Sequence, residues 1–258
     1  MDAMLIVVFL FGALVGSFLN VCIYRLPREE SVAWPSSHCP ACSRPIAPYD
    51  NIPILSYVAL AGRCRSCRAK ISPRYPVVEL ANALGWVAIV AYFGWTPAAA
   101  AYAALFSALL VITGTDLSHT IIPDSVTLPG IVVGLVGAAT ILPVGFANAV
   151  LGVLVGGGLL WGLAVVSPYL FGKEGMGGGD IKLLAMVGAF LGWRAALLTI
   201  MIGALTGSVV GISLIVFKIL RRDEYIPFGP FLALGAIVAL FFHQAILGWY
   251  WGLLDPNP

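Results

Sequence analysis

Two aspartates in a chain made largely of apolar residues have the makings of acid–base chemistry. Asp180 ends the run Gly175-Met176-Gly177-Gly178-Gly179-Asp180, at the mouth of an apolar segment. Asp116 sits in Thr113-Gly114-Thr115-Asp116-Leu117-Ser118-His119, at the end of an earlier one. A carboxylate at membrane depth is costly unless something uses it, so its default reading is functional. Two carboxylates facing each other across a water do not readily both ionise. They share a proton, one acting as base on the water and the other as acid toward a substrate carbonyl. The competing reading makes each Asp a helix-end residue in the headgroup zone. That suits Asp124, which follows Pro123 and complements a helix dipole. It suits Asp180 less well, because a cap needs one residue and a glycine run strips side chains from the backbone. Such a run lets a peptide or another helix come close to the carboxylate.

The second constellation is Cys39-Pro40-Ala41-Cys42 and Cys64-Arg65-Ser66-Cys67, two pairs separated by 21 residues. Paired knuckles bring four thiolates into a tetrahedron suited to Zn²⁺. A disulfide reading conflicts with a reduced cytosolic location, and a redox motif would need a βαβ context that is missing from the pattern. A closed four-thiolate site is structural, with no open position for chemistry. The loop is too short for a large core, so metal would replace one. His38 precedes Cys39 but is not required, Cys22 reads as a small buried apolar residue, and neither His119 nor His243 is assigned to catalysis.

The elements that must position these residues are membrane helices. Of 258 residues, 60% are hydrophobic and 10% charged, and the mean hydropathy is +0.97. These values place the chain among polytopic, all-α membrane proteins. Eight apolar stretches are read at 4–22, 77–93, 97–113, 126–142, 149–170, 181–191, 195–217 and 228–254. The sixth is short and is expected to extend. Thr96-Pro97 predicts a capped start for the third. The pairs Gly12/Gly16, Gly152/Gly156, Gly188/Gly192 and the set Gly203/Gly207/Gly211 predict close helix–helix packing. The first stretch follows Met1-Asp2 without a basic flank, so it is expected to be a retained helix.

All but Arg194 of the 14 Lys and Arg fall in loops on one side of this alternation. The positive-inside rule then places the 25–76 loop in the cytosol, both termini outside, and Asp116, Asp124 and Asp180 at cytosolic helix ends. The expected organisation is a first helix over 1–24, a zinc-binding cytosolic loop over 25–76 and a seven-helix bundle over 77–258.

At this point the residues resemble a known family, the type IV prepilin peptidases. The resemblance runs through Gly16-Ser17-Phe18-Leu19-Asn20-Val21, Tyr24-Arg25-Leu26-Pro27, both cysteine pairs and Asn51-Ile52-Pro53-Ile54-Leu55-Ser56-Tyr57. It continues through Gly62-Arg63-Cys64, Ile71-Ser72-Pro73-Arg74-Tyr75-Pro76-Val77-Val78-Glu79, the 116–124 stretch and 175–180, whose end is the GxGD pattern shared with presenilin-like proteases. The resemblance implies a bifunctional enzyme of the bacterial inner membrane. It would cut a short basic leader after Gly at the cytosolic face, then methylate the new N-terminal amine with S-adenosylmethionine. Carried over by motif, the catalytic pair is Asp116 and Asp180, with Asp124 outside the pair. Lys173-Glu174 lead into the glycine run as solvated charges.

No dinucleotide-type fingerprint for the methyl donor is present. Its site is therefore expected at the loop and adjoining helix ends, with Asn20, Asp50, Arg74 and Glu79 as candidates. A neutral amine is needed, so a nearby carboxylate base would serve. Expected partners are prepilin and pseudopilin substrates and the lipid bilayer, with no nucleic acid. Two other readings compete. A presenilin-like protease would not need the cysteine loop, and a proton-relaying transporter would carry mid-membrane carboxylates and repeated halves.

Overall fold

The computed structural model describes residues 3–172, 176–219, 221 and 226–254. Lys173, Glu174, Gly175, Arg222 and the Met1-Asp2 start lie outside them. Among the described residues there are nine α-helices and no strand, only two isolated bridges in the cysteine loop. The helices are α1 (Ala3–Arg25), α2 (Leu55–Ala59), α3 (Arg74–Phe93), α4 (Pro97–His119), α5 (Asp124–Thr140), α6 (Phe146–Phe171), α7 (Gly178–Leu191), α8 (Trp193–Val216) and α9 (Gly229–Leu254). A backbone in lipid must satisfy its own polar groups, which is why the apolar runs become helices.

The eight expected stretches coincide with α1 and α3–α9. Six of these, α1, α3, α4, α6, α8 and α9, are long and apolar enough to cross a membrane. The expectation of eight spans is thus approximate, since α5 has 17 residues and α7 has 14. At 1.5 Å per residue α7 is about 21 Å long, short of the roughly 30 Å hydrocarbon core. It does extend into the glycine run, starting at Gly178, and Gly192 at φ 83 ends it.

The chain forms two compact units, residues 1–115 and 116–258, with the end of α4 belonging to the second. In the first unit α1 packs on α3. A Cβ on Gly12 would lie 2.9 Å from the Cα of Ala83, and one on Gly16 would lie 2.7 Å from the Cα of Glu79. The backbones touch because these positions carry no side chain. A buried polar chain reinforces the contact. Asn82 Nδ2 donates to Gly12 O at 2.7 Å, Ser107 Oγ donates to Asn82 Oδ1 at 2.8 Å, and Trp86 Nε1 donates to Ser107 Oγ at 3.0 Å. As Thr96-Pro97 predicts, Thr96 Oγ1 caps α4 by accepting the Ala99 N–H at 3.1 Å.

In the second unit α7 is central, packed against α5, α6, α8 and α9. Every residue from Leu183 to Leu191 is buried. A helix sheathed by neighbours need not span the bilayer itself, which accounts for its length. Gly152 of α6 and Gly188 of α7 cross backbone to backbone, and Gly156 lies against Leu184 O. Gly203 and Gly207 of α8 receive Phe231 and Leu232 of α9. The small-residue spacings therefore mark helix crossings, as expected.

Candidate active site and metal centre

Asp116 and Asp180 are both in the second unit, 3% and 4% exposed. Asp116 sits one turn before the end of α4. The helix stops where Thr120 adopts φ 53, its N–H still bonded to Asp116 O at 2.8 Å. Asp116 Oδ2 accepts the N–H of Gly229, the first residue of α9, at 2.8 Å. Asp180 is the third residue of α7, and its carboxylate reaches back to the N–H of the N-cap, Gly177. This is one half of a capping box. The other oxygen, Oδ1, is buried without a partner. The two carboxylates are near enough for the charge of Asp116 to act on Asp180.

The segment between α4 and α5 fills the space beside the pair. Ile122 lies where side chains on Gly179 or Gly229 would be, with the would-be Cβ atoms 2.7 and 3.2 Å from it. The glycine before Asp180 thus admits a neighbouring segment. Asp124, the first residue of α5, receives Lys182 Nζ on both oxygens at 2.7 Å. This exposed pair ties the start of α5 to the second turn of α7.

The four cysteines of the 25–76 loop converge. Their sulfurs all lie within 4.8 Å of one another, and Cys39 and Cys67 Sγ are 3.9 Å apart. The two knuckles are the same local structure repeated 25 positions later. Cys39 N bonds to Arg44 O and Ser43 N to Cys39 O; Cys64 N bonds to Ala69 O and Arg68 N to Cys64 O. Ser43 and Arg68 both take positive φ, and the bridges His38–Pro45 and Arg63–Lys70 close the two hairpins. The N–H groups of Cys67 and Ser66 pull the Cys64 thiol down to about 7, while Cys67, despite the N–H of Ala69, is pushed up to about 11 by desolvation and the neighbouring cysteines; binding a metal would release the protons that the cluster shares. Sulfurs bound to one zinc at about 2.3 Å sit about 3.8 Å apart, so the cluster fits that ion. His38 is exposed and outside the cluster.

The candidate methyl-donor residues divide. Asp50 is held by Arg65 at 2.6–3.1 Å, and this guanidinium lowers its carboxyl below the usual range. Glu79 accepts the N–H of Ile54 at 2.7 Å and the hydroxyl of Ser17. Ile54 itself has φ 62, so Glu79 secures a backbone conformation that a β-branched residue rarely adopts. Asn20 Nδ2 donates to Tyr75 O at 3.0 Å, one turn before Glu79 on α3, while its buried Oδ1 has no partner. Arg74 begins α3, its guanidinium over the Tyr75 ring. Asn20, Arg74 and Glu79 thus lie along the α1–α3 contact, and Asp50 lies in the loop beside the second knuckle.

Comparison with known proteins decides the family. Residues 10–93 match the Bacterial Peptidase A24 N-terminal domain and residues 103–212 match the Type IV leader peptidase family. The chain is 39% identical to the Prepilin leader peptidase/N-methyltransferase of Aeromonas salmonicida, over 94% of this chain and 92% of that one. Its counterpart of the same name in Pseudomonas aeruginosa is 38% identical over 93% and 91%. The chain belongs to the type IV leader peptidase family. No solved structure matches it.

The leader peptidase match encloses Asp116, Asp124, Asp180 and Lys182, and the N-terminal match encloses the cysteine loop, Asn20 and Glu79. Gly229 falls beyond both. Sequence reasoning passed over Gly229, the Asp124–Lys182 pair and Arg25. The buried Arg25 donates to Ser31 O and Pro35 O at 2.9 and 2.6 Å, fixing the first turn of the loop. An arginine at the end of an apolar helix followed by prolines was the available signal for it.

Proposed function

We propose that this chain removes the leader of prepilins and pseudopilins through Asp116 and Asp180, and then N-methylates the exposed amine. The observation that carries the hydrolytic half is the buried pair. Asp180 has one unpartnered oxygen and lies within electrostatic reach of Asp116. One carboxylate removes a proton from a water, whose oxygen bonds to the scissile carbonyl carbon. The other protonates the carbonyl oxygen. As the C–N bond breaks, the first carboxyl gives its proton to the leaving amine, and the second recovers one from the former carbonyl oxygen. The pair is restored and one water is consumed. The charge pattern supports a cytosolic 25–76 loop, cytosolic ends for these helices, periplasmic termini and placement in the bacterial inner membrane.

Cys39, Cys42, Cys64 and Cys67 would hold a structural zinc, which cross-links the loop. S-adenosylmethionine is the methyl donor for the second reaction, bound at the loop and the adjoining ends of α1 and α3. Asn20, with its unpartnered Oδ1, is the candidate whose polar atom is free to meet a ligand. Asp50 and Glu79 already serve the loop, and Arg74 stands at its exit. The experiment is the N-terminal mass of a prepilin incubated with the membrane-embedded enzyme and S-adenosylmethionine. A product shortened by its leader and heavier by one methyl group supports both halves. A shortened product that is never methylated removes the second, and an intact substrate removes the first.

A further inference from the structure

We infer that the backbone N–H of Gly229 positions Asp116 and makes it the charged member of the pair, so that Asp116 is the base and Asp180 the acid. The inference rests on the two-aspartate reading above. Gly229 begins α9, a 26-residue helix with no acidic residue in its first turn. Its free N–H points at Asp116 Oδ2 at 2.8 Å, and the positive end of a helix favours an anion there. Asp180 also lies in a first turn, so the dipole alone does not choose between them. The oxygens do. Asp180 Oδ1 is buried and receives no donor, which suits a neutral carboxyl better than a charge. A proton on that oxygen has no acceptor among the described residues and is free for a substrate carbonyl.

A side chain at position 229 would displace the carboxylate it holds. A Cβ there would lie 2.7 Å from Asp116 Oδ2 and 3.2 Å from Ile122 Cδ1. Among the described residues, the titratable groups at this end of the surrounding helices are Asp180 and Lys182 on α7, Asp124 on α5, which is paired with Lys182, and His119 one turn further along α4. α9 offers none before His243.

The test uses the full chain in membranes with a prepilin substrate and, separately, an already cleaved peptide for methylation. Gly229→Ala should lower kcat for cleavage about 100-fold, the scale of a small misplacement of a reacting group, with KM within about twofold. The acidic limb of its pH–rate profile should move up by about one pH unit, the loss of one charge-assisted hydrogen bond. Methylation of the cleaved peptide should stay at the wild-type rate. Adding Ile122→Val removes Cδ1 and should recover part of kcat, which also supplies a measurable profile. A wild-type rate and profile, an unmoved acidic limb, loss of both activities together, or a double variant as slow as the single one would each overturn the inference. Cleavage by Asp116→Asn would instead sink the two-aspartate reading, whatever Gly229 does.

Discussion

Replacing Glu79 tells a loop anchor from a methyl-donor ligand. Its carboxylate accepts the Ile54 N–H at 2.7 Å and holds Ile54 at φ 62 and ψ −52. A hydrogen bond to a charged group contributes about 1.5–3 kcal/mol. The backbone conformation it secures costs on the order of 1–3 kcal/mol and persists only while over-determined. Glu79→Ala removes the acceptor, so docking of the 48–60 segment should weaken by roughly 3 kcal/mol, which is about a hundredfold in the open fraction. Glu79→Gln keeps an oxygen for Ile54 and should weaken docking by only about 1 kcal/mol. Trypsin cleavage at Arg63, Arg65 and Arg68 of the purified enzyme reads the open fraction. Methylation of a cleaved peptide, measured beside it, should fall in proportion. If Glu79→Gln abolishes methylation while the loop stays protected, the carboxylate acts on the reaction itself and the anchoring argument is wrong.

Three further outcomes are expected. Elemental analysis should find about one zinc per chain, lost in Cys39→Ser, with the loop then open to protease; a protected loop without metal would refute the structural role. Asp124→Ala or Lys182→Ala should cost no more than about 1 kcal/mol because the pair is exposed, with cleavage restored by the charge swap Asp124→Lys/Lys182→Asp. A hundredfold loss of kcat in Lys182→Ala that the swap does not repair would give Lys182 a direct role. Gly188→Leu should destabilise the second unit by several kcal/mol at its crossing with Gly152, and a wild-type Tm in detergent would contradict that crossing.

The helices were legible because lipid permits little else: each apolar run became a helix, down to the Thr96 cap and the glycine crossings. The cysteine cluster was legible because its spacing dictates its chemistry. Asp116 and Asp180 stood out by type, as charges where charges are costly. What stayed hidden depends on tertiary contact. Nothing in the Ile181–Leu191 run said that α7 would be the sheathed centre of its unit. Lys182 read as a loop charge because its partner Asp124 is 58 residues away. The anchoring bond of Glu79 stayed hidden because the Ile54 N–H it accepts belongs to a loop with no periodicity. Gly229, in Pro227-Phe228-Gly229-Pro230, carries no signal of its own in the sequence, and only the approach of Asp116 gives it a role.

If cleavage runs through both aspartates and not through the cysteine loop, the two activities separate in single variants. Leader removal from a prepilin should be measured for Asp116→Asn and Asp180→Asn beside methylation of an already cleaved peptide. Each variant should lose cleavage by about 10³-fold or more while methylating the peptide at the wild-type rate. Near wild-type cleavage by either variant would contradict the two-aspartate mechanism.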